Sequence, residues 1–165
     1  RSAGLSLPVK PVKGYSITLA VRRGAPALPV IDESRHIAIT PLGDRIRIAG
    51  IAELAGYDSA VDRRRIGMMY RFFRELYPDL GFGPELADDA PTWAGLRPYC
   101  CDGVPLVGPS PLQNLYLNTG HGHLGWSMAA GSARLAADLI GGAATGLDPR
   151  PYRLDRFSGT RRITR

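Results

Sequence analysis

Apolar and polar side chains alternate from Gly14 onward: Tyr15, Ile17, Leu19 and Val21 fall on one face, Ser16, Thr18 and Ala20 on the other. A period of two marks a half-buried β-strand. Residues 1–13 contain two prolines and no period, so they read as an extended lead-in, and "GAPALP" at 24–29 breaks the strand. Ile37 and Ile39 then alternate into "TPLGD", and Arg45, Ile46, Arg47 and Ile48 alternate away from it. Two period-two runs flanking Pro41 and Gly43 predict an antiparallel hairpin.

The period then changes. Met69, Phe72, Phe73 and Leu76 recur at i, i+3, i+4 and i+7, opposite Arg64, Arg71 and Arg74, which predicts an amphipathic helix ended by Pro78. Ser59 followed by Asp62 resembles a capping box at its start. Residues 86–97 read as extended, "DGVPLVGPSP" as turns around a short strand, and "NLYLNTG" as the last strand. Residues 124–140 form the last predicted helix, stopped by Gly141 and Gly142. Strands and helices in this order, with hairpins and no internal repeat, make an α+β chain and not a series of β-α-β units.

Charge changes this picture little. Of the net +6, the stretch after Leu147 carries +4, from Arg150, Arg153, Arg156, Arg161, Arg162 and Arg165 against Asp148 and Asp155. The body is evenly mixed, which argues against a broad nucleic-acid face. The basic tail is compatible with plain solvation, with acidic lipid head groups or with a partner. Cys100 and Cys101 are adjacent and cannot staple the fold; two free thiols point weakly to a reducing compartment. Neighbouring cysteines on an extended chain face opposite ways, so a zinc site shared with His121 and His123 is not expected. No apolar run reaches the roughly 18 residues of a bilayer span. No signal peptide is visible, and a start on Arg1 without methionine suggests a processed chain or a piece of a longer one.

Gly120, Gly122 and Gly125 spell G-x-G-x-x-G between a strand and a helix. A dinucleotide fingerprint also needs a second strand after the helix, with an acidic residue for the ribose. Here "GGAATGLDPRPYRLDRF" follows, with no apolar strand left, so that reading fails. Glycines still admit close backbone approach, and a helix N-terminus still presents free N–H groups to a partial anion. Alternatively the glycines serve only a tight turn and close helix packing, together with Ala129, Ala130, Ala133, Ala136 and Ala137.

"PVKGYSIT" at 11–18, "IAITPLGDRIRIAGIAEL" at 37–54, "WAGLRPYCCDGVPLVG" at 93–108 and "LYLNTGHGHLGWSMAAGSARLAADLI" at 115–140 resemble FAD-dependent amine oxidoreductases of the D-amino-acid oxidase and glycine oxidase superfamily. The resemblance runs from Pro8 to about Leu147 and is greatest to D-amino-acid dehydrogenases. It implies a C-terminal piece only. Residues 1–92 would be part of a substrate-binding domain, an antiparallel sheet with a covering helix. Residues 93–147 would be the strand–helix segment that returns to the FAD domain, and 148–165 the basic C-terminal tail. The cofactor would be FAD, and the partners an amino-acid substrate and the parent's N-terminal FAD-binding portion. A respiratory electron acceptor or a membrane surface stays open as a further partner. The place would be the cytoplasm, with the inner membrane face open as a peripheral site.

On this resemblance, His121, Gly122, His123, Leu124, Gly125, Trp126 and Ser127 would contact the flavin ring and not a pyrophosphate. Arg97 in "GLRP" would bind the substrate carboxylate, which a guanidinium fork can hold bidentately. His123 stands where a second carboxylate-binding group occurs in glycine oxidase, and a solvent-exposed loop histidine is the alternative. His36 begins a strand whose counterpart carries a substrate-facing tyrosine, in a register loose by two residues. "YCCDG" departs from the "MTPDG" type usual in the family. No catalytic base is legible, and none is needed if the substrate amine is already neutral. A glycine- or sarcosine-oxidase-like activity and a non-catalytic binding module of the same fold remain alternatives.

Overall fold

A computed structural model describes residues 4–20, 24–84 and 86–158 of the 165. Val21, Arg161, Arg162 and Arg165, named above, lie outside the described residues. The chain forms two compact units, Val12–Leu96 and, separately, Arg1–Pro11 with Arg97–Arg165. The division thus falls four residues after the boundary drawn from the sequence, and the first residues cluster with the C-terminal stretch.

The unit of Val12–Leu96 is built on an antiparallel sheet. Strands β1 (Val9–Ala20), β2 (Val30–Asp32), β3 (Ile37–Leu42), β4 (Arg45–Glu53) and β5 (Thr92–Cys100) lie in the order β2-β3-β4-β1-β5. The predicted hairpin forms, with Leu42 opposite Arg45 and Ile39 opposite Ile48. Helix α1 (Arg63–Leu76) lays Ile66, Met69, Tyr70 and Phe73 on Tyr15, Ile17, Leu19, Ile37, Ile39, Ile46 and Ile48. Each such aliphatic side chain stabilises the unit by about 1.5–3 kcal/mol when fully buried.

The extended stretch expected at 86–97 runs instead from Thr92 to Cys100, after a turn in which Ala90 N–H donates to the Ala87 carbonyl, and four further expectations need correction. First, β1 starts at Val9 and not at Gly14. Pro11 is tolerated because pairing with β4 begins only at Lys13 opposite Glu53, so its missing N–H interrupts no bond on that side. Second, β2 was not foreseen; three residues behind a proline carry no legible period. Third, Asp62 and not Ser59 caps α1, accepting from Arg64 N–H at 2.8 Å. Fourth, the buried stripe is shifted three residues toward the N-terminus, leaving Phe72 half-buried and Leu76 exposed at the helix end.

A buried charge fixes the stretch before α1. Lys13, only 2% exposed, donates from Nζ to Asp58 Oδ2 at 2.9 Å and to the Ala60 carbonyl at 3.0 Å, with Glu53 at 3.7 Å. Glu53 in turn accepts from the Tyr15 hydroxyl and from Arg65 at 2.8 Å. The Tyr15 hydrogen bond, helped by Arg65 and Lys13, holds the Glu53 carboxyl below its ordinary range against the effect of burial. A buried ammonium without such partners would be untenable.

At the same end of the sheet β4 carries an extra residue: Lys13 pairs with Glu53, but Tyr15 pairs with Gly50. Ile51 takes φ 62°, a strained value for a β-branched residue, and donates from N–H to the His36 carbonyl at 3.3 Å. A Cβ on Gly50 would sit 2.5 Å from that same carbonyl oxygen.

The other unit pairs β6 (Leu106–Pro109) with β7 (Tyr116–Thr119), Leu106 opposite Thr119. Cys100, Leu106 and Leu117 form its core with Leu5, Leu7, Val9, Leu154 and Phe157 around them. Helix α2 (Gly125–Gly141) turns Ser132, Leu135 and Asp138 inward and closes at Gly142. Its opposite face stays open: Trp126 is 95% exposed, and Ala130, Ala133, Ala137 and Ile140 continue the stripe.

Replacing Gly50 with Ala should cost about 1–3 kcal/mol, because the new methyl meets backbone that cannot swing away. Gly67, exposed inside α1 with open space at its Cβ, is the control. There Ala should add up to about 1 kcal/mol. Urea unfolding of both variants measures the contrast, and equal effects would contradict this account of the close approach.

Candidate functional site

The glycine-rich turn is tied to the end of β5. Cys100 N–H donates to the Gly120 carbonyl at 3.3 Å, and Tyr99 bridges His121. Gly120 and Gly122 take φ 85° and 58°. Gly122 through Leu124 form one turn of 3-10 helix, and α2 follows directly. A Cβ on Gly122 would lie 2.9 Å from the Tyr99 ring, so the spelling of the motif here serves a left-handed turn pressed beneath an aromatic side chain.

Of the predicted site residues, Arg97, His121, Gly122, His123, Leu124, Gly125, Trp126 and Ser127 all belong to this unit. His36 belongs to the other. It is exposed, sits in the left-handed region at φ 53° just before β3, and serves the sheet through its backbone carbonyl. Arg97 is half-buried on β5 and shares a strand face with Tyr99 two residues on. His123 is exposed, with Nδ1 2.5 Å from the Tyr99 hydroxyl. His121 points the other way and meets Ser132 Oγ on α2 at 2.8 Å. Burial lowers its pKa and favours the neutral ring. The two histidines of one motif therefore have separate tasks, His121 fixing the helix and His123 facing outward.

The first turn of α2 has no side-chain cap and no acidic residue. The positive end of the helix is thus not neutralised by a side chain of its own first turn, which suits an electron-rich edge of a ligand. Leu124 and Trp126 stand exposed at this end.

Tyr99 escaped the sequence reading, although its place two residues after Arg97 on an extended strand was a usable signal. Arg156 escaped it too, and the basic stretch is not simply solvated. Arg156 is only 15% exposed on its side chain; it pairs with Asp102 at 2.8 Å and donates to the carbonyls of Val104 at 2.6 Å and Arg153 at 3.0 Å. Its Nη2 also reaches Cys100 Sγ at 3.3 Å. Arg156 holds the Asp102 carboxyl well below the usual carboxylate range against burial, with help from Val104 N–H. Burial pushes the Cys100 thiol up, while Cys101 is exposed, so the two sulfurs do face apart. Arg150 and Arg153 pair with Asp148 and Asp155 at 2.8 Å and 2.5 Å.

A family model described as FAD dependent oxidoreductase, DAO, matches residues 1–139. The chain belongs to that family. An uncharacterized oxidoreductase in the pyp 5′ region of Halorhodospira halophila is 48% identical over 164 residues, 95% of this chain and 72% of that protein. A D-amino acid dehydrogenase of Methylobacterium nodulans is 53% identical over 146 residues, covering 87% of this chain. This chain spans only 34% of that dehydrogenase. Among solved structures, glycine oxidase from Geobacillus kaustophilus superposes with a TM-score of 0.77 at 29% identity, over 98% of this chain and 41% of that one. The α+β architecture with an antiparallel sheet is the one these relatives share, and the family is FAD-dependent. Among the described residues no helix is long and apolar enough to cross a membrane.

The residues present fit a flavin in one respect visible here. The first turn of α2 has neither a capping side chain nor a carboxylate that would repel the ring's anionic edge, so the positive end of the helix is not neutralised from within the helix.

His121 and Asp102 are among the groups that make stability depend on acid. His121 has its pKa lowered by burial, so its contribution is full above the unfolded value of ~6.5 and declines as pH falls below it. Asp102, with its pKa lowered by Arg156, contributes fully above the unfolded value of ~3.9 and loses that contribution as pH falls further. A plot of Tm against pH should fall in both windows. His121→Gln should flatten the upper and Asp102→Asn should lessen the lower; curves parallel to wild type would contradict the assignment.

Proposed function

We propose that this chain is the C-terminal part of an FAD-dependent oxidoreductase that oxidises D-amino acids to imino acids, which water then hydrolyses to 2-oxo acids. The observation that carries this reading is the coupling of the arginine-bearing strand to the glycine turn: Arg97 and Tyr99 share one face of β5, and Tyr99 packs on Gly122. A substrate-recognising cation and a flavin-facing turn are thereby built on one short framework.

In this proposal Arg97 grips the substrate carboxylate with its planar fork, and His123 lends a further donor. Bound FAD supplies the hydride acceptor at N5. The turn His121, Gly122, His123 and Leu124 and the first residues of α2, Gly125, Trp126 and Ser127, would lie against the ring edge where negative charge gathers, at the positive end of the helix. A helix end contributes about 0.3–1 kcal/mol there, up to ~2 when partly buried. At 30 mV per 1.4 kcal/mol for two electrons, this tunes the potential by ~40 mV at most. The exposed stripe from Trp126 to Ile140 is the surface on which the parent's flavin-binding portion packs.

The likeness to glycine oxidase favours a second reading, an amine oxidase of glycine or sarcosine type that passes electrons to oxygen. Oxygen uptake with glycine, compared with a D-amino acid and a quinone acceptor, separates the two.

In the enzyme that joins this sequence to a flavin-binding portion, Arg97→Leu is expected to raise KM for the amino acid by about 10²-fold, the effect of stripping one partner from a desolvated charge pair. Flavin content, read from visible absorbance, should not change. An unaltered KM would remove Arg97 from the site. The 165 residues alone are expected to show no turnover.

A further inference from the structure

Tyr99 makes more contacts with the turn than a strand residue needs for packing. Its hydroxyl lies 2.5 Å from Nδ1 of His123, and the two rings stack with centroids 5.9 Å apart at 22°. The same ring fills the space where Gly122 lacks a side chain. An exposed loop histidine would otherwise turn freely about two torsions; this one is clamped by a hydrogen bond and a ring face. Phenol is the better donor and a neutral imidazole nitrogen the better acceptor, so Tyr99 O–H donates to Nδ1. A hydrogen bond accepted at Nδ1 puts the ring proton on Nε2.

We propose that Tyr99 is a positioning residue that holds His123 as its Nε2–H tautomer, so that a fixed donor meets a carboxylate oxygen of the bound amino acid. Arg97 stands two residues earlier on the same face of β5. Strand and turn together then offer the carboxylate two unlike donors, a charged fork and a neutral N–H. The identity of the acceptor rests on the functional reading above, whereas the tautomer does not.

Long-range proton–nitrogen correlation spectra of the ¹⁵N-labelled chain, without flavin and at a pH where imidazoles are neutral, test the tautomer. His123 should show an unprotonated Nδ1 and a protonated Nε2. Tyr99→Phe, which keeps the ring on Gly122, should move both resonances toward the averaged mixture of tautomers. A protonated Nδ1 in the wild type, or an unchanged spectrum in Tyr99→Phe, overturns the proposal. In the flavin-loaded enzyme Tyr99→Phe should raise KM for the amino acid about three- to tenfold with kcat within about twofold, the effect of one lost hydrogen bond. The expected tautomer with an unchanged KM overturns the carboxylate as acceptor. Failure of the wild-type enzyme to hold flavin or turn over amino acids would count against the functional reading and leave the tautomer measurement standing.

Discussion

The C-terminal unit depends on the hydrogen bond from Cys100 N–H to the Gly120 carbonyl, where the end of β5 meets a turn that has left its own strand ladder. Around it the chain must satisfy several constraints at once. Gly120 and Gly122 adopt left-handed backbone, Tyr99 covers the second of them, and His121 is left facing Ser132 while His123 faces outward. Register matters here because side chains alternate along a strand: moving β5 by one residue would turn Arg97 and Tyr99 to the opposite face. The positions of the candidate recognition groups are therefore set by backbone pairing before any side chain chooses a rotamer.

The two units solve the problem of buried charge in similar ways. Lys13 is buried and Arg156 largely so, and each meets a carboxylate and at least one backbone carbonyl of a neighbouring irregular segment. Neither contact is needed to bury apolar surface. Both give irregular segments a single docking geometry. For the loop before α1 this is an anchor, and for the 3-10 turns at residues 150–157 it adds to the packing of Leu154 and Phe157 on the core.

What the sequence made legible follows from periodicity. The hairpin of β3 and β4, the existence of both helices and the α+β order could be read because apolar positions recur there at a fixed spacing. β2 could not, since three residues hold no period. The cap of α1 was misassigned because Ser59 and Asp62 both satisfy a local rule, and only the engagement of Asp58 and Ala60 with Lys13 shows why the chain turns into helix later. In the candidate site, Arg97 and the glycine turn were legible from motif and resemblance. Tyr99 and Arg156 were not, because their importance lies in partners 24 and 54 residues away along the chain.

The stripe from Trp126 through Ala130, Ala133 and Ala137 to Ile140 makes α2 a helix with a second apolar face and nothing among the described residues to cover it. Such a surface does not weaken the fold, because α2 is already anchored through Leu135 and Asp138. It governs colloidal behaviour instead. The handling properties of the purified polypeptide, its tendency to cluster as it is concentrated and its retention on hydrophobic resins, would be set by five side chains that lie outside its cores.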